Sequence, residues 1–268
     1  MASHFNFKKF TVRQESSAMK VNTDAVMLGA WARITTEKDT VTMLDVGTGT
    51  GVIALMLAQR LNDAGYKFNI TGIDPDHASY MESVVNFENS PWRDKLNAKE
   101  ITLQSLAKEE PKEKYDMIVS NPPFFTASLK APAIRRTLSR HNDTLPFRDI
   151  IVASRTLLRT GGHLSLILPT EEAAQFMRDV KGLATVKESA LFLTRICSVR
   201  TMAHKPVKRV LMEFEKLPEE VSLTDIGGCI EEAFSIYEAD GVTKSWKYRN
   251  LTGDFYLDTL FSPPLRNS

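Results

Sequence analysis

Residues 41–51, with the sequence VTMLDVGTGTG, decide the fold class of this chain. The apolar run 41–46 predicts a buried strand. Gly47, Gly49 and Gly51 predict a turn, and apolar residues at helical spacing follow it. Glycines allow the backbone to pass close to a ligand at the start of a helix. The order strand, glycine turn, helix therefore predicts the first unit of a Rossmann-like α/β domain.

The spacing inside this glycine turn narrows the choice of ligand. The turn is G-x-G-x-G, and Val52 stands where the dinucleotide fingerprint has its third small residue. No Gly-Lys-Ser/Thr follows, which excludes a Walker phosphate loop. Asp45 precedes the first glycine, and a carboxylate there repels a pyrophosphate but suits an ammonium group. The segment 45–51 resembles motif I of class I S-adenosylmethionine-dependent methyltransferases.

A second motif lies at residues 115–125, YDMIVSNPPFF. The apolar start predicts a buried strand, which must end at Asn121 because the two prolines that follow have no N–H. We therefore expect Asn121 and Phe124 at the carboxyl edge of a sheet, where α/β proteins bind ligands. The pattern Asn-Pro-Pro-aromatic is similar to the signature of methyltransferases that act on planar exocyclic amines, mainly N6 of adenine and N5 of glutamine.

The chemistry of such an amine explains these residue types. Its lone pair is delocalised, so the nitrogen is a poor nucleophile. The side-chain carbonyl of Asn121 and the backbone carbonyl of Pro122 can each accept one N–H, which favours pyramidalisation during attack. Phe124 offers a flat face for a splayed-out base. The alternative interpretation is an ordinary strand-to-loop turn with two prolines.

Two further segments predict contacts with the same ligand. Residues 69–74 form a predicted strand that ends in Asp74, whose carboxylate can accept both ribose hydroxyls. Asp74 is alternatively the N-cap of the next helix, and both roles remain open. Thr23 is the expected N-cap of a helix through Trp31. Lys20 and Asp24 are predicted to face a zwitterionic ligand, unless this helix only covers the sheet edge.

The rest of the chain predicts more strands and helices of one domain. We expect an extended arm or hairpin in the first twenty residues and a helix over 149–159 that is closed by Gly161 and Gly162. The other predicted strands are 99–104, 163–169, 187–193 and 208–214, the last two antiparallel. Residues 1–36 are predicted to be an arm and helix packed on a methyltransferase domain of residues 37–268, a single domain overall.

Two stretches of the chain are basic. Between Ser128 and Arg148 Asp143 is the only acid, and residues 189–212 contain none. The connector that we expect between the last two strands belongs to the second stretch and carries Arg195, Arg200, His204, Lys205, Lys208 and Arg209. A basic stretch is usually a solvated face, but two of them beside the carboxyl edge suggest a polyanionic partner. The candidate RNA-binding residues are Arg135, Arg136, Arg140, His141, Arg200, Lys205, Lys208 and Arg209.

Composition limits the remaining classes of function. The net charge is +1, so the whole chain is not a polycation. Cys197 and Cys229 have no paired spacing, which suggests a reducing compartment. The histidines show no metal-ligand spacing, and neither a signal peptide nor a membrane-spanning run is evident. We expect a cytoplasmic protein without a metal and, as an oligomeric state, a monomer.

Several segments together resemble one bacterial family, the tRNA1(Val) (adenine(37)-N6)-methyltransferases. The matching segments are 10–14, 19–21 with 23–24, 45–51, 121–124, 140–141, 161–163, 199–201 with 205–206, and 251–252 with 254–256. The resemblance implies a Rossmann-like α/β fold with a seven-stranded, mostly parallel sheet of order 3-2-1-4-5-7-6, strand 7 antiparallel, and helices on both faces. One residue departs from the family pattern, because Phe124 stands where a tyrosine is common.

The resemblance also implies S-adenosylmethionine as the cofactor and a tRNA anticodon loop as the partner. The expected catalytic residues are Asn121, Pro122 and Phe124. The expected cofactor-binding residues are Lys20, Asp24, Asp45, Gly47, Thr48, Gly49, Gly51, Asp74 and Gln104.

Three hypotheses of function follow. The first is methylation of adenine N6 in a tRNA anticodon loop. The second is the same chemistry on glutamine N5 of a protein or on another RNA or DNA base. The third is a cofactor-dependent RNA-binding module without turnover. The basic stretches argue against a protein substrate, the small size argues against sequence-specific work on DNA, and the intact 121–124 motif argues against an inactive module.

Overall fold

The computed structural model describes residues 3–17, 19–34, 38–123, 145–183, 191–218 and 228–261. Its strands are β1 (His4–Asn6), β2 (Thr11–Arg13), β3 (Thr40–Val46), β4 (Lys67–Asp74), β5 (Leu96–Glu100), β6 (Tyr115–Ser120), β7 (Leu158–Pro169), β8 (Leu191–Arg200), β9 (Val207–Lys216) and β10 (Ile230–Ser235). Its α-helices are α1 (Thr23–Trp31), α2 (Val52–Asp63), α3 (His77–Glu88), α4 (Leu103–Glu109), α5 (Phe147–Leu157), α6 (Thr170–Leu183) and α7 (Trp246–Thr252).

The central sheet has eight strands in the order β10-β8-β9-β7-β6-β3-β4-β5. Strand β9 is antiparallel to both β7 and β8, and the other pairs are parallel. The predicted α/β class with a mostly parallel sheet is confirmed. Counted from β3, seven of the strands follow the order 3-2-1-4-5-7-6. The eighth, β10, was not expected, because this mostly exposed edge strand has no alternating apolar pattern.

The sheet is covered by helices on both faces because its strands alternate their side chains. In β3, Val41 and Met43 belong to one apolar core, whereas Leu44 and Val46 belong to the other. Residues of α1, α2, α3 and α7 share the first core. Residues of α4, α5 and α6 share the second. This layering leaves the carboxyl edge of the parallel strands as the place for a ligand.

The N-terminal residues form the expected hairpin. Strands β1 and β2 pair antiparallel, and the hairpin packs on aromatic residues near the C-terminus. The Phe7 ring stacks on Phe10 at a centroid distance of 4.6 Å and on Tyr256 at 6.1 Å. The backbone N–H of Lys8 donates to the carbonyl of Phe255 at 2.8 Å. The hairpin is therefore attached to the same core as α1 and α2.

Two predicted element boundaries were wrong. The N-cap of α1 is Asn22 rather than Thr23, because Asn22 Oδ1 accepts the N–H of Ala25 at 2.9 Å. The strand predicted over 99–104 is β5, which ends at Glu100. Thr102 caps the next helix by accepting the N–H of Ser105, so Gln104 lies in α4 instead of a strand.

The glycine pair after α5 does not cap that helix. The helix ends at Leu157, and Gly161 and Gly162 lie inside β7, where its register with β6 shifts. Gly161 has a φ of 77°, and a Cβ on Gly162 would lie 2.8 Å from the carbonyl oxygen of Arg159. The two glycines are therefore needed for this irregular start of the strand.

The antiparallel pairing of the two late strands is confirmed, with β8 and β9 longer than expected. Their connector is consequently only 201–206, so Arg195 and Arg200 lie in β8, whereas Lys208 and Arg209 lie in β9.

Candidate active site at the carboxyl edge of the sheet

The carboxyl ends of β3 and β6 meet at the centre of the sheet. The register pairs Val46 with Ser120, so the residues that follow them, Gly47 and Asn121, leave the sheet side by side. The chain continues from β3 towards β4 and β5 on one side, whereas β6 and β7 lie on the other. Such a switch point opens a crevice for ligands in α/β sheets.

The glycine loop after β3 has the backbone conformation that its sequence predicts. Gly47, Gly49 and Gly51 have φ values of 70°, 55° and 80°, a region that favours glycine. The N–H groups of Gly47 and Thr48 both donate to the carbonyl of Ile73 at 2.9 Å. Nothing lies within 4 Å of the position that a Cβ on Gly47 would take, so the backbone there adjoins open space.

Asp45 stabilises the glycine loop through a hydrogen bond from Thr48. Its side chain is completely buried, and Thr48 Oγ1 donates to its Oδ2 at 2.7 Å. The other oxygen, Oδ1, has no hydrogen-bond partner among the described residues. Burial raises the pKa of the Asp45 carboxyl to about 7, although the Thr48 hydrogen bond opposes that shift. Asp45 therefore orders the loop, and its contact with an ammonium group remains a prediction.

Asp74, at the end of β4, also stabilises the glycine loop. Its Oδ2 accepts the N–H of Gly49 at 2.9 Å, and its Oδ1 accepts the N–H of Asp76 at 3.0 Å. Burial raises the pKa of the Asp74 carboxyl. The N-cap of α3 is Asp76, which accepts the N–H of Ser79, so Asp74 does not have the capping role. Each oxygen retains a lone pair for a further donor.

Asn121 is fixed at the carboxyl end of β6. Ser120 Oγ donates to the carbonyl of Val46 at 2.9 Å and ties the end of this strand to β3. Asn121 is 6% exposed, and its Oδ1 is buried without a hydrogen-bond partner in the described parts of the chain. Pro122 is also buried. Phe124, the third expected catalytic residue, lies outside the described residues.

A buried polar side chain that the sequence analysis missed holds an N-terminal strap, residues 13–17, beside the loop. Glu82 of α3 accepts three consecutive backbone N–H groups: Oε1 accepts those of Glu15 at 2.6 Å and Ser16 at 3.0 Å, and Oε2 accepts that of Ser17 at 2.8 Å. A Cβ on Gly49 would lie 3.5 Å from Ser17 Oγ. The strap therefore borders the loop.

Asn86, one helical turn after Glu82, forms hydrogen bonds with both the strap and the glycine loop. Its Oδ1 accepts the N–H of Arg13 at 2.8 Å, and its Nδ2 donates to the carbonyls of Arg13 at 2.9 Å and Thr50 at 2.8 Å. The signal in the sequence was a pair of polar residues four positions apart on the buried side of an otherwise amphipathic helix. Buried polar groups of this kind are normally paired, but the sequence does not say with what.

The structure gives three other predicted cofactor residues different surroundings. Lys20 lies half-buried just before α1. Asp24 Oδ2 accepts from Arg209 Nε at 2.6 Å. Gln104 Nε2 donates to Asp149 Oδ2 at 2.7 Å in an exposed contact. Each of these residues follows or adjoins the carboxyl edge, but no hydrogen bond among the described residues joins any of them to the glycine loop.

Part of the predicted RNA surface lies at the same edge. Strand β8 runs parallel to β7, so Arg200 at its end and the connector with Lys205 lie on the side of Asn121. Lys205 and Lys208 are exposed, whereas Arg209 is paired with Asp24. The candidates Arg135, Arg136, Arg140 and His141 lie outside the described residues.

The side chain of Arg195, in the same strand, contacts other side chains of the protein. It donates to Glu232 Oε2 at 2.8 Å, and its guanidinium lies 4.1 Å from the ring centroid of Trp31.

A separate cavity of about 410 Å³ lies at the opposite, amino edge of the sheet, lined in part by Arg33, Asp116 and His163. Its charged groups pair with one another: Asp116 accepts from Lys38 at 2.8 Å and from Arg159 at 2.9 Å. None of the described residues around it belongs to the predicted site.

Within 3–17, 19–34, 38–123, 145–183, 191–218 and 228–261, no group of three or more His, Cys, Asp and Glu could hold a metal ion. In those same ranges no helix is long and apolar enough to cross a membrane.

Comparison with known proteins shows the family of this chain. The profile of the methyltransferase small domain family matches residues 31–192. The tRNA1(Val) (adenine(37)-N6)-methyltransferase of Flavobacterium johnsoniae is 38% identical over 253 residues, which cover 94% of this chain and 99% of the relative. The Bacteroides thetaiotaomicron protein of the same name is 37% identical, with coverages of 94% and 97%.

Solved structures show the same fold at low identity. A predicted O-methyltransferase from Agrobacterium tumefaciens has a TM-score of 0.62 and 15% identity, covering 87% of this chain and 96% of that one. P. horikoshii TYW2 in complex with MeSAdo has a TM-score of 0.54 and 11% identity, with coverages of 80% and 70%.

The sheet order, the switch-point crevice and the glycine loop define a class I S-adenosylmethionine-dependent methyltransferase. The chain belongs to the methyltransferase small domain family and, within it, to the tRNA1(Val) (adenine(37)-N6)-methyltransferases.

Proposed function

We propose that this enzyme transfers the methyl group of S-adenosylmethionine to the exocyclic N6 amine of an adenine in tRNA, adenine 37 of tRNA1(Val). The observation that carries the proposal is the buried Oδ1 of Asn121, which has no hydrogen-bond donor among the described residues and leaves the sheet beside the glycine loop. A buried acceptor without a donor costs about 1–3 kcal/mol, and an incoming amine removes that cost. The names of the relatives that match over 94% of this chain support the substrate.

The crevice fits the cofactor. The open space beside Gly47 and the positive φ of Gly49 allow a ligand close to the backbone. Asp74, with a free lone pair on each oxygen, holds the ribose hydroxyls. Lys20 and Asp24 hold the carboxylate and ammonium of the amino-acid part. The cofactor supplies an electrophilic methyl group on a sulfonium.

The remaining proposed cofactor residues are Asp45, Thr48, Gly51 and Gln104.

Asn121 and Pro122 prepare the amine. The Asn121 amide oxygen and the Pro122 carbonyl oxygen each accept one N–H of the adenine N6. These acceptors favour a pyramidal nitrogen, because both N–H bonds are drawn out of the ring plane, and the lone pair is then less delocalised into the ring. Phe124 stacks on the adenine ring, a role proposed from its sequence position alone.

The tRNA binds across the same edge of the sheet. Lys205, Lys208 and Arg200 contact its phosphates, and the basic residues of the 135–141 stretch are proposed from sequence to do the same. The anticodon loop presents adenine 37 to Asn121. The enzyme acts as a monomer without a metal, and a tRNA substrate places the reaction in the cytoplasm.

Mass spectrometry of nucleosides from tRNA that was incubated with enzyme and S-adenosylmethionine tests this proposal. We expect N6-methyladenosine in tRNA1(Val), and none when Asn121→Ala replaces the wild type at the same enzyme concentration and short reaction time. Methylated glutamine in a protein substrate, with unmodified tRNA, would overturn the proposal.

The RNA contact has its own test. Affinity for tRNA should fall with salt, and Lys205→Ala should reduce the log–log slope by about one, because one phosphate contact is lost.

A further inference from the structure

Trp246 is an exposed tryptophan on a fixed backbone. It begins α7, and 66% of its surface is exposed. Its backbone N–H donates to Glu238 Oε1 at 3.1 Å, and Ser245 caps the helix by accepting the N–H of Tyr248 at 3.1 Å. A large aromatic side chain is thus exposed to solvent on a backbone that hydrogen bonds fix, which indicates a surface that contacts a partner.

The segment that carries this ring starts at the active edge of the sheet. Strand β10 is parallel to β8, and its last residue, Ser235, pairs with Arg200. The pairing continues beyond the strands: the N–H of Ile236 donates to Arg200 and that of Tyr237 to Thr201, both at 2.9 Å. Residues 236–249 therefore begin beside the basic connector 201–206, at the edge where Asn121 follows β6.

The charges of the two neighbouring segments are of one sign. Residues 200–209 and 242–249 contain seven Lys and Arg and no Asp or Glu. The turn just before the second segment carries two acids, whose carboxylates accept backbone N–H groups: Asp240 Oδ1 accepts those of Val242 and Thr243, both at 2.9 Å, and Glu238 accepts that of Trp246. A basic surface with an exposed aromatic ring favours a nucleic acid, because phosphates and bases contact those two kinds of side chain.

We infer that Trp246 stacks on an unpaired base of the RNA substrate, a base other than the methylated adenine, while Lys205 contacts a flanking phosphate. This inference rests on the proposed function and adds to it a second point of base contact. Stacking on an aromatic side chain does not require a particular base, because every base has a flat face. Trp246 therefore contributes affinity for an RNA loop and leaves the choice of nucleotide to the catalytic crevice.

Steady-state kinetics of Trp246→Ala, Trp246→Phe and the control Val242→Ala on full-length tRNA test the inference. Trp246→Ala should raise KM for tRNA about 5- to 150-fold, with kcat and the Kd for S-adenosylhomocysteine unchanged. Trp246→Phe should retain most of the affinity because its ring still stacks. Val242→Ala should stay within about twofold of wild type, as most exposed substitutions do.

Tryptophan fluorescence gives a direct reading of the contact. Trp31 and Trp92 are 4% and 6% exposed, so Trp246 is the accessible tryptophan of the three in the chain. Titration with tRNA should quench the wild-type emission, and Trp246→Phe should abolish that quenching. An unchanged KM for Trp246→Ala, in an enzyme whose wild type methylates tRNA, overturns the inference alone. A wild type that methylates no tRNA overturns the proposed function instead.

Discussion

Asp24 and Arg209 form an ion pair between residues 185 positions apart, with Nε donating to Oδ2 at 2.6 Å. Both side chains are partly buried, and Arg209 lies opposite Pro169 at the carboxyl end of β7. The pair joins a residue predicted to bind the cofactor to one predicted to bind RNA. Arg209 therefore contacts Asp24, a partner that its sequence context did not indicate.

We expect Arg209→Gln to weaken binding of S-adenosylhomocysteine by about fivefold, equivalent to about 1 kcal/mol, because Asp24 loses the group that orients it. Calorimetry measures this change. The exposed neighbour Lys208→Gln is the control and should affect tRNA affinity only. If both variants weakened tRNA binding equally and left cofactor binding intact, Arg209 would instead be a contact for RNA.

Asp74→Ala should weaken S-adenosylhomocysteine binding by about 1–3 kcal/mol. The variant removes the acceptor for the proposed ribose hydroxyls and also the one that holds the Gly49 N–H at 2.9 Å. Calorimetry with NAD is the specificity control, and no binding is expected. Tight binding of NAD to the wild type would contradict the assignment of the crevice.

Asn121→Ala should lower kcat by about 10²- to 10³-fold, the usual effect of removing one preorganised hydrogen-bond partner. Cofactor binding should change little, because the acceptor acts mainly in the transition state. Asn121→Asp keeps an acceptor and should retain partial activity. Wild-type rates of tRNA methylation by Asn121→Ala would mean that the amine binds elsewhere.

Glu82→Gln should raise the Kd for S-adenosylhomocysteine at least about fivefold, or about 1 kcal/mol, because the amide nitrogen cannot accept the N–H groups of the strap. Activity at saturating cofactor should remain near wild type. Glu88→Gln, at the exposed end of the same helix, is the matched control. A lower Tm with unchanged cofactor affinity would show that Glu82 only stabilises the fold.

Asp45 predicts a pH dependence of stability. Its pKa is about 7 in the folded protein and about 4 when unfolded, so the folded state binds more protons between these values. This carboxyl's contribution to stability is therefore full below pH 4 and is lost as the pH rises to 7. The Tm of Asp45→Asn relative to wild type should rise over that window, in thermal unfolding at several pH values. A constant difference would contradict the raised pKa.

The sequence by itself determined local features of the backbone. The glycine loop was predictable because Gly47, Gly49 and Gly51 need positive φ values that other residues rarely adopt. The end of β6 was predictable because Pro122 and Pro123 have no N–H to continue the sheet. Boundaries set by competing caps were less certain: Asn22 and Thr23 are both good N-caps, and only the hydrogen bond to Ala25 decides between them.

The tertiary structure decided which distant groups meet. Nothing in the order of residues pairs Glu82 with a strap 65–67 positions earlier, or Asp24 with Arg209. The segment that carries Trp246 likewise starts beside the basic connector only because the edge strand β10 pairs with β8. Local sequence fixes backbone conformation and the apolar pattern. The partner of a buried or surface polar group depends on how the elements pack, because hydrogen bonds and ion pairs act over a few ångströms in space whatever the separation along the chain.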